Sequence, residues 1–458
     1  MASRQDQLHS YQFTVQRVVS ALVMRDTDPA RSPFRRTAGA TLAGILLGAL
    51  ALAAVAVYGV LAPGGGTDWR DGGAVIVERE SGARYVYVSG VLHPVPNYAS
   101  ALLVIGSGEA HSVTVARASL DGVPRGAPLG IPGAPDPLPD RGRLAGAPWA
   151  VCSARLADGP PESIVYVGRS PGGGVALADG TGLLVATPDG TGYLVWRHNR
   201  YRVPRVALGA LAWGAEPLTP VAPALVNSLA AGPDLAAPAL PGGGPSKVPG
   251  LRVGQVVVET VPGGAKQYAV ALADGLAAIS ELQAALLLAE SGTPQKELSP
   301  AEFAAGLTAP PLIPTGPLAP PASRPELARP QGADRGLCVT VGGPKDTLAF
   351  DVPVSAAGGP VAAPVAASRA PAGSVSADRV VVEPGRGAVV SAVPSPHAPG
   401  ALSVVSELGI RYPVPGTDVL TLLGYQGINP VPLPAGLVAL LPVGPTLDPT
   451  AARTPTGG

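Results

Sequence analysis

Five histidines, two cysteines, four lysines and a serine set among glycines are the residues from which this chain of 458 could build chemistry. A metalloprotease-type zinc site needs two histidines one helical turn apart beside a glutamate, because both imidazoles must reach one ion. His9, His93, His111, His198 and His397 show no such spacing. They read as surface or hydrogen-bonded structural residues, and no metal is expected. A nucleophilic serine needs a strand, a tight glycine turn and then a helix. Gly168-Arg169-Ser170-Pro171-Gly172 follows the apolar strand Ile164 to Val167, but Pro171 leads into three glycines, which predicts a hairpin turn. A phosphate loop needs G-x-x-x-x-G-K-[S/T], with backbone N–H groups around the phosphates and a lysine on the terminal ones. The nearest stretches, GGGPSKV (242–248) and VGGPKDT (341–347), have the wrong spacing and read as turns. With only Lys247, Lys266, Lys296 and Lys345 available, no catalytic or cofactor-binding residue is expected.

The elements that would position any site hang from one apolar stretch. Residues 37–67 carry no charge, and the run from Ala38 to Ala62 is 25 residues long. At about 1.5 Å per residue, a helix of that length crosses a hydrocarbon core with room for tilt. Arg35 and Arg36 stop the run on one side, and Pro63 with three glycines breaks it on the other. It is too long, and begins too far into the chain, for a cleaved secretory signal. Residues 37–62 therefore predict an uncleaved transmembrane helix. Six arginines and three aspartates precede it, leaving 26 basic and 29 acidic residues after it. Positive charge beside a span stays cytoplasmic, so residues 1–36 should lie inside and the bulk of the chain outside. Cys152 and Cys338 both fall beyond the anchor. An even count in an oxidising compartment favours a disulfide over two free buried thiols.

Within residues 1–36, Tyr11, Val15, Val18, Val19, Leu22 and Val23 form a helical apolar stripe, with Ser10 as a candidate cap. The helix is too short to span a membrane and too small to form a core. Its stripe should cover a partner protein or, as the alternative, lie on the inner leaflet. In the anchor, Gly44 and Gly48 leave a small-residue face where another helix could pack.

Beyond a linker at 63–74, one pattern recurs: an apolar run, a Gly/Pro turn and a second apolar run, which reads as a β-hairpin. It begins at Val75, Leu183, Val256 and Val389. Val95-Pro96, Val203-Pro204 and Val414-Pro415 follow three of the hairpins, and Leu103, Leu211 and Leu422 lie seven residues after those prolines. Proline near a helix start is tolerated, since its missing N–H would be unpaired anyway. The third copy lacks Val-Pro and runs into the helical ELQAALLLAE. The second and fourth share a tail, with Leu225-Val226-x-x-Leu229-x-x-Gly232-Pro233-x-Leu235 matching Leu437-Val438-x-x-Leu441-x-x-Gly444-Pro445-x-Leu447. These are expected to be four ββα-type repeats, at 75–121, 181–250, 251–308 and 387–458, which stack because none buries its own face. Strand-like segments around Cys152 (122–180) and Cys338 (331–386) predict the two halves of a central β-rich domain. The disulfide would close it, with the repeats flanking it in pairs. Residues 309–330 are Pro-rich and predict an extended linker or a surface strap. The fold class expected is thus α+β, an elongated extracytoplasmic region on a single anchor.

Taken together, SRQDQLHSYQFTVQRVVSALVMRD, the PFRR before a single anchor, the repeated modules and the one cysteine pair resemble the EccB membrane component of actinobacterial type VII (ESX) secretion systems. The resemblance spans the chain, and the N-terminal block is its most specific part. It implies a core subunit of an inner-membrane secretion complex whose periplasmic domain multimerises. Implied partners are the EccC motor ATPase, EccD, EccE and further copies of itself. The repeats of this family also resemble cell-wall-binding modules of phage lysins, so an envelope-glycan tether is a second reading. A third, ATP hydrolysis, rests on the resemblance alone. Formal charge is zero, with no pull toward nucleic acid. Glycine and proline approach a quarter of the chain, but 46% hydrophobic residues argue for folded modules.

Overall fold

A computed structural model of the chain describes residues 3–24, 33–61, 68–155, 159–331, 335–342, 346–354, 375–394 and 398–455. By contacts the chain divides into two units, one of residues 1–69 with 78–82 and 114–122, the other of 70–77, 83–113 and 123–458.

The first unit carries two helices, α1 (Arg4–Met24) and α2 (Pro33–Leu61). Helix α1 starts earlier than Ser10. Ser3 and Asp6 cap each other, Asp6 N donating to Ser3 Oγ at 3.2 Å and Ser3 N to Asp6 Oδ2 at 3.1 Å. Ser10 instead lies inside the helix, where its carbonyl accepts from the Thr14 hydroxyl at 2.8 Å. Residues 4–10, polar apart from Leu8, hide this extension from the apolar periodicity that starts at Tyr11. In the same unit the buried Glu78 accepts from Arg117 Nε at 2.7 Å.

The described strands form five sheets, four of which share one strand order: third, second, first, fourth. Each starts with an antiparallel meander: Ala74–Glu78, Arg84–Val88 and Val91–Val95; Thr181–Ala186, Gly192–Trp196 and Asn199–Arg202; Val256–Thr260, Lys266–Leu272 and Gly275–Ile279; Ala388–Val393, Ala401–Val405 and Arg411–Val414. A helix follows, and a fourth strand then returns beside the first, in parallel where Thr219–Pro220, Lys296–Glu297 and Val431–Pro434 do so. The sequence pattern showed the hairpins and helices but not the third and fourth strands. Third strands such as NRYR and RYPV carry charge and proline in place of apolar alternation. The prolines after them also sit outside the helices: Pro204 is the N-cap of Arg205–Ala210, and Pro96 and Pro415 precede the caps Asn97 and Gly416.

A further segment runs along the third strand of each of these sheets and accounts for the shared tail motif. Gly232 N donates to Arg200 O at 2.9 Å and Leu235 N to Arg202 O at 2.8 Å. Gly444 N and Leu447 N make the same bonds to Arg411 O and Pro413 O, each at 2.8 Å. In the first sheet Gly126 and Leu129 bond Leu92 O and Pro94 O, both at 2.9 Å. A Cβ on Gly126, Gly232 or Gly444 would fall inside the van der Waals envelope of the His93, Tyr201 or Tyr412 ring respectively. In the third sheet Ala309 and Leu312 bond Leu276 O and Ala278 O, and the residue between those carbonyls is Ala277. Alanine is tolerated where no ring stands opposite. Residues 309–330 are therefore a strap. Farther along it, Pro317 O and Ala319 O accept from Asn199 Nδ2 and the Tyr201 hydroxyl, and Glu326–Leu327 pairs with the second sheet. Gly444→Ala should destabilise the fourth sheet by about 1–3 kcal/mol through overpacking. Adding Tyr412→Ala should recover part of that loss, and chemical denaturation of the single and double variants measures the coupling.

The fifth sheet has the order Arg379–Val381, Glu162–Tyr166, Trp149–Ala154, Gly336–Val341, Thr347–Val352, Val175–Ala176. Its middle pair joins segments nearly two hundred residues apart, antiparallel, with Cys152 directly opposite Cys338. Because side chains alternate across a strand, Trp149, Val151, Leu337 and Val339 share one face and Ala150, Cys152 and Cys338 the other. The first face is covered by the tail helices, through Leu225, Val226 and Leu229 of one motif and Leu437, Val438 and Leu441 of the other. The first and fourth sheets share a core through Leu102, Leu103, Leu420 and Leu423. The second and third share another through Leu184, Leu211, Leu282 and Leu286. The stretch around Ser170 is no hairpin turn: the next strand, Val175–Ala176, pairs with Thr347–Val352 at the far edge of the sheet.

Candidate assembly surfaces

Three features remain for function once the residues with chemical potential are placed. Ser170 Oγ bonds Thr340 Oγ1 at 2.8 Å, a structural contact between two strands' ends. His93 Nδ1 lies 2.9 Å from Ala127 O, tying the first sheet's third strand to its neighbouring segment. Among the described residues no cluster of three His, Cys, Asp or Glu side chains could hold a metal. Lys247 sits in a turn closed by the Pro245–Arg252 bridge, and neither a strand nor a helix flanks it as a phosphate loop requires. Lys345 and His397 lie outside the described residues. Tyr425 is buried, its hydroxyl donating to Pro139 O at 2.8 Å, and burial pushes that phenol far above its ordinary range.

The first feature is α2. Among the described residues it holds the one stretch long and apolar enough to cross a membrane, Gly39–Val57, and none of that stretch is buried. Leu42, Ile45 and Leu50 are about two-thirds exposed, a surface that water would not tolerate over such a length. Gly44 and Gly48 have nothing within 4 Å of a built Cβ, so both sites are open to a neighbouring helix.

The second is the stripe on α1. Tyr11 is 70% exposed, Val15 42%, Val18 53% and Leu22 77%, and Val19 is half-buried. The Val23 side chain lies outside the described residues. Leu8 and Phe13 are exposed as well, and Leu8 extends the stripe one step at helical spacing, three residues before Tyr11. Sequence reading missed Leu8 because it placed the helix start at Ser10.

The third is the disulfide itself. Cys152 and Cys338 are bonded and buried, with their Cα atoms 4.0 Å apart, among Ala150, Ile164, Val352 and Val381. Such a bond is out of reach of solvent thiols and serves as a clamp between the two halves of the central sheet.

A family model described as type VII secretion system ESX-1, transport TM domain B, matches residues 1–458. A protein of Mycolicibacterium smegmatis described as the ESX-3 secretion system ATPase EccB3 is 29% identical over 482 residues, covering 96% of this chain and 88% of its own length. Its Mycobacterium tuberculosis counterpart is 30% identical over 489 residues, covering 96% and 87%. Among solved structures, the EccB3 dimer from the ESX-3 core complex superposes with a TM-score of 0.58 at 27% identity, over 83% of this chain and 100% of that one. A chain of the intact ESX-5 inner membrane complex gives 0.61 at 24% identity, over 100% and 96%, a likeness of fold. With one helix among the described residues long and apolar enough to cross a membrane, a disulfide-closed α+β body and a family match from end to end, the chain belongs to the EccB family of type VII secretion proteins.

Proposed function

We propose that this protein is a structural core subunit of a type VII secretion complex in the inner membrane. Helix α2 anchors it, α1 docks in the cytoplasm, and the body beyond residue 70 multimerises outside. The observation that carries this reading is the uncovered apolar surface of α1 and α2, attached to a body whose sheets are internally covered. Helix α1, at 21 residues, is too polar to span a bilayer, interrupted as it is by Arg4, Asp6, Arg17 and four glutamines, so its exposed stripe is satisfied by a second protein surface. The partners this fits are the EccC motor ATPase, EccD, EccE and further copies of the chain, in line with relatives solved as a dimer and within inner-membrane complexes. Purifying the complex in mild detergent and identifying its subunits tests the assignment; recovery of this chain alone would overturn it. Peptidoglycan pull-down tests the tether reading, since a pure scaffold leaves the glycan unbound. Relatives bear the name ATPase. No phosphate-loop geometry among the described residues favours that activity here, and scaffold function requires none.

Orientation follows from the arginine excess before α2. A reporter active only outside the membrane, fused after Gly458, is expected to be active, and the same reporter placed before residue 36 should be silent. The opposite pattern would reverse the topology.

A further inference from the structure

Of the 32 basic side chains, only four are lysines, and two of those four line a single cleft of about 360 Å3 beside the third sheet. They arrive from separate segments. Lys296 opens the short strand that returns parallel to Val256–Thr260, opposite Val257. Lys247 is held in its turn by its own N–H, which donates to Ala273 O at 3.0 Å. The Lys296 ammonium reaches the turn that carries Lys247: a Cβ built on Gly250 in that turn would stand 3.4 Å from Lys296 Nζ. Val248, Leu298 and Ala305 supply an apolar wall.

One carboxylate, Glu302, shares the lining. It is committed elsewhere, accepting from Ser299 N at 3.0 Å and Ser299 Oγ at 2.6 Å in the capping box of helix Pro300–Gly306. Those bonds first, and Lys296 after them, hold its carboxyl below the usual range, so it is ionised near neutral pH and offsets one positive charge. The lining keeps an excess of one cation. An ammonium is a compact point charge suited to phosphate and carboxylate oxygens, and a few polar groups on an apolar wall are the usual make-up of a small-molecule site.

We propose that this cleft, formed where the Lys247 turn meets the Lys296 strand, binds an organic oxyanion: a phosphate or carboxylate carried on a small apolar body. The anion sits between the two ammonium groups, and the body lies against Val248 and Leu298. The site is independent of the assembly surfaces on α1 and α2.

Titration calorimetry of the full chain in mild detergent, with phenyl phosphate as the probe, should show saturable binding at one site per chain. Inorganic phosphate, which lacks the apolar body, should bind about tenfold more weakly, and uncharged phenol should not saturate. Lys247→Gln combined with Lys296→Gln should weaken phenyl phosphate by about tenfold or more. Lys266→Gln, outside the cleft, should leave it unchanged. Benzoate separates the two chemistries: binding equal to phenyl phosphate supports a site for either oxyanion, and weaker binding supports a phosphate site. Absence of saturable binding by both probes, or undiminished binding in the double variant with its circular dichroism unchanged, would overturn the proposal.

Discussion

Replacing Cys152 with serine is expected to lower the stability of the central sheet by about 4–5 kcal/mol, the chain-entropy value for a closed loop of a hundred residues or more. The bond closes a loop of 186 residues, and that loop contains two complete meander-and-helix units and the whole strap. Without it, the central strand pair must bring together segments whose ends are free to diffuse apart in the unfolded chain. The effect should be largest in this sheet, because its middle pair is a seam between chain halves that no local turn enforces. Trp149 is fully buried in that pair's packing face, so its fluorescence reports the transition. A urea midpoint for Cys152→Ser equal to that of the oxidised wild type would refute the clamp. Cys338→Ser and the double substitution should match Cys152→Ser, since all three remove the same bond, and a reductant present during unfolding should lower the wild type to the same value. Non-reducing peptide mapping should return the Cys152 and Cys338 peptides joined.

The second large effect is on assembly. Val18 and Leu22 lie one turn apart on α1, and both are exposed. Full burial of such side chains against a partner is worth roughly 1.5–3 kcal/mol each, and an aspartate at the same place adds the cost of desolvating a charge. Val18→Asp with Leu22→Asp should therefore weaken docking by several powers of ten while leaving the body intact, since both side chains are exposed. The expected result is a protein that still inserts and folds but no longer co-purifies with the other core subunits, with export stopped. Unchanged recovery of those subunits would sink the docking proposal and favour a helix that merely rests on the leaflet.

How much of this was legible beforehand divides along contact range. The apolar run of α2 is self-sufficient: its length and lack of charge suit it to cross a membrane whatever follows it in the chain. The hairpins were legible because a turn between two apolar runs is a local statement, and so was the helix Glu281–Ser291, whose Ser280–Gln283 capping box lies within a few residues. The cysteine pair was read from its even count and its expected place beyond the apolar run. What stayed hidden was each element defined by a distant neighbour. The third strands Asn199–Arg202 and Arg411–Val414 look polar, yet each is covered on one edge by a remote segment. Gly232 and Gly444 stood out as a repeated pair, yet their reason, a tyrosine ring lying against each, exists only after the tail has folded along the third strand. Likewise, the prolines of 309–330 announce extended backbone but not that it bonds Leu276, Asn199 and Tyr201. The sequence alone thus determined the anchor, the amphipathic stripe, the local hairpins and the candidate clamp, because each depends on periodicity or composition over at most a few turns. Tertiary structure decided the strand orders, the two shared cores and the lysine cleft, because hydrogen-bond edges and charges far apart in the chain acquire meaning only when packing makes them neighbours.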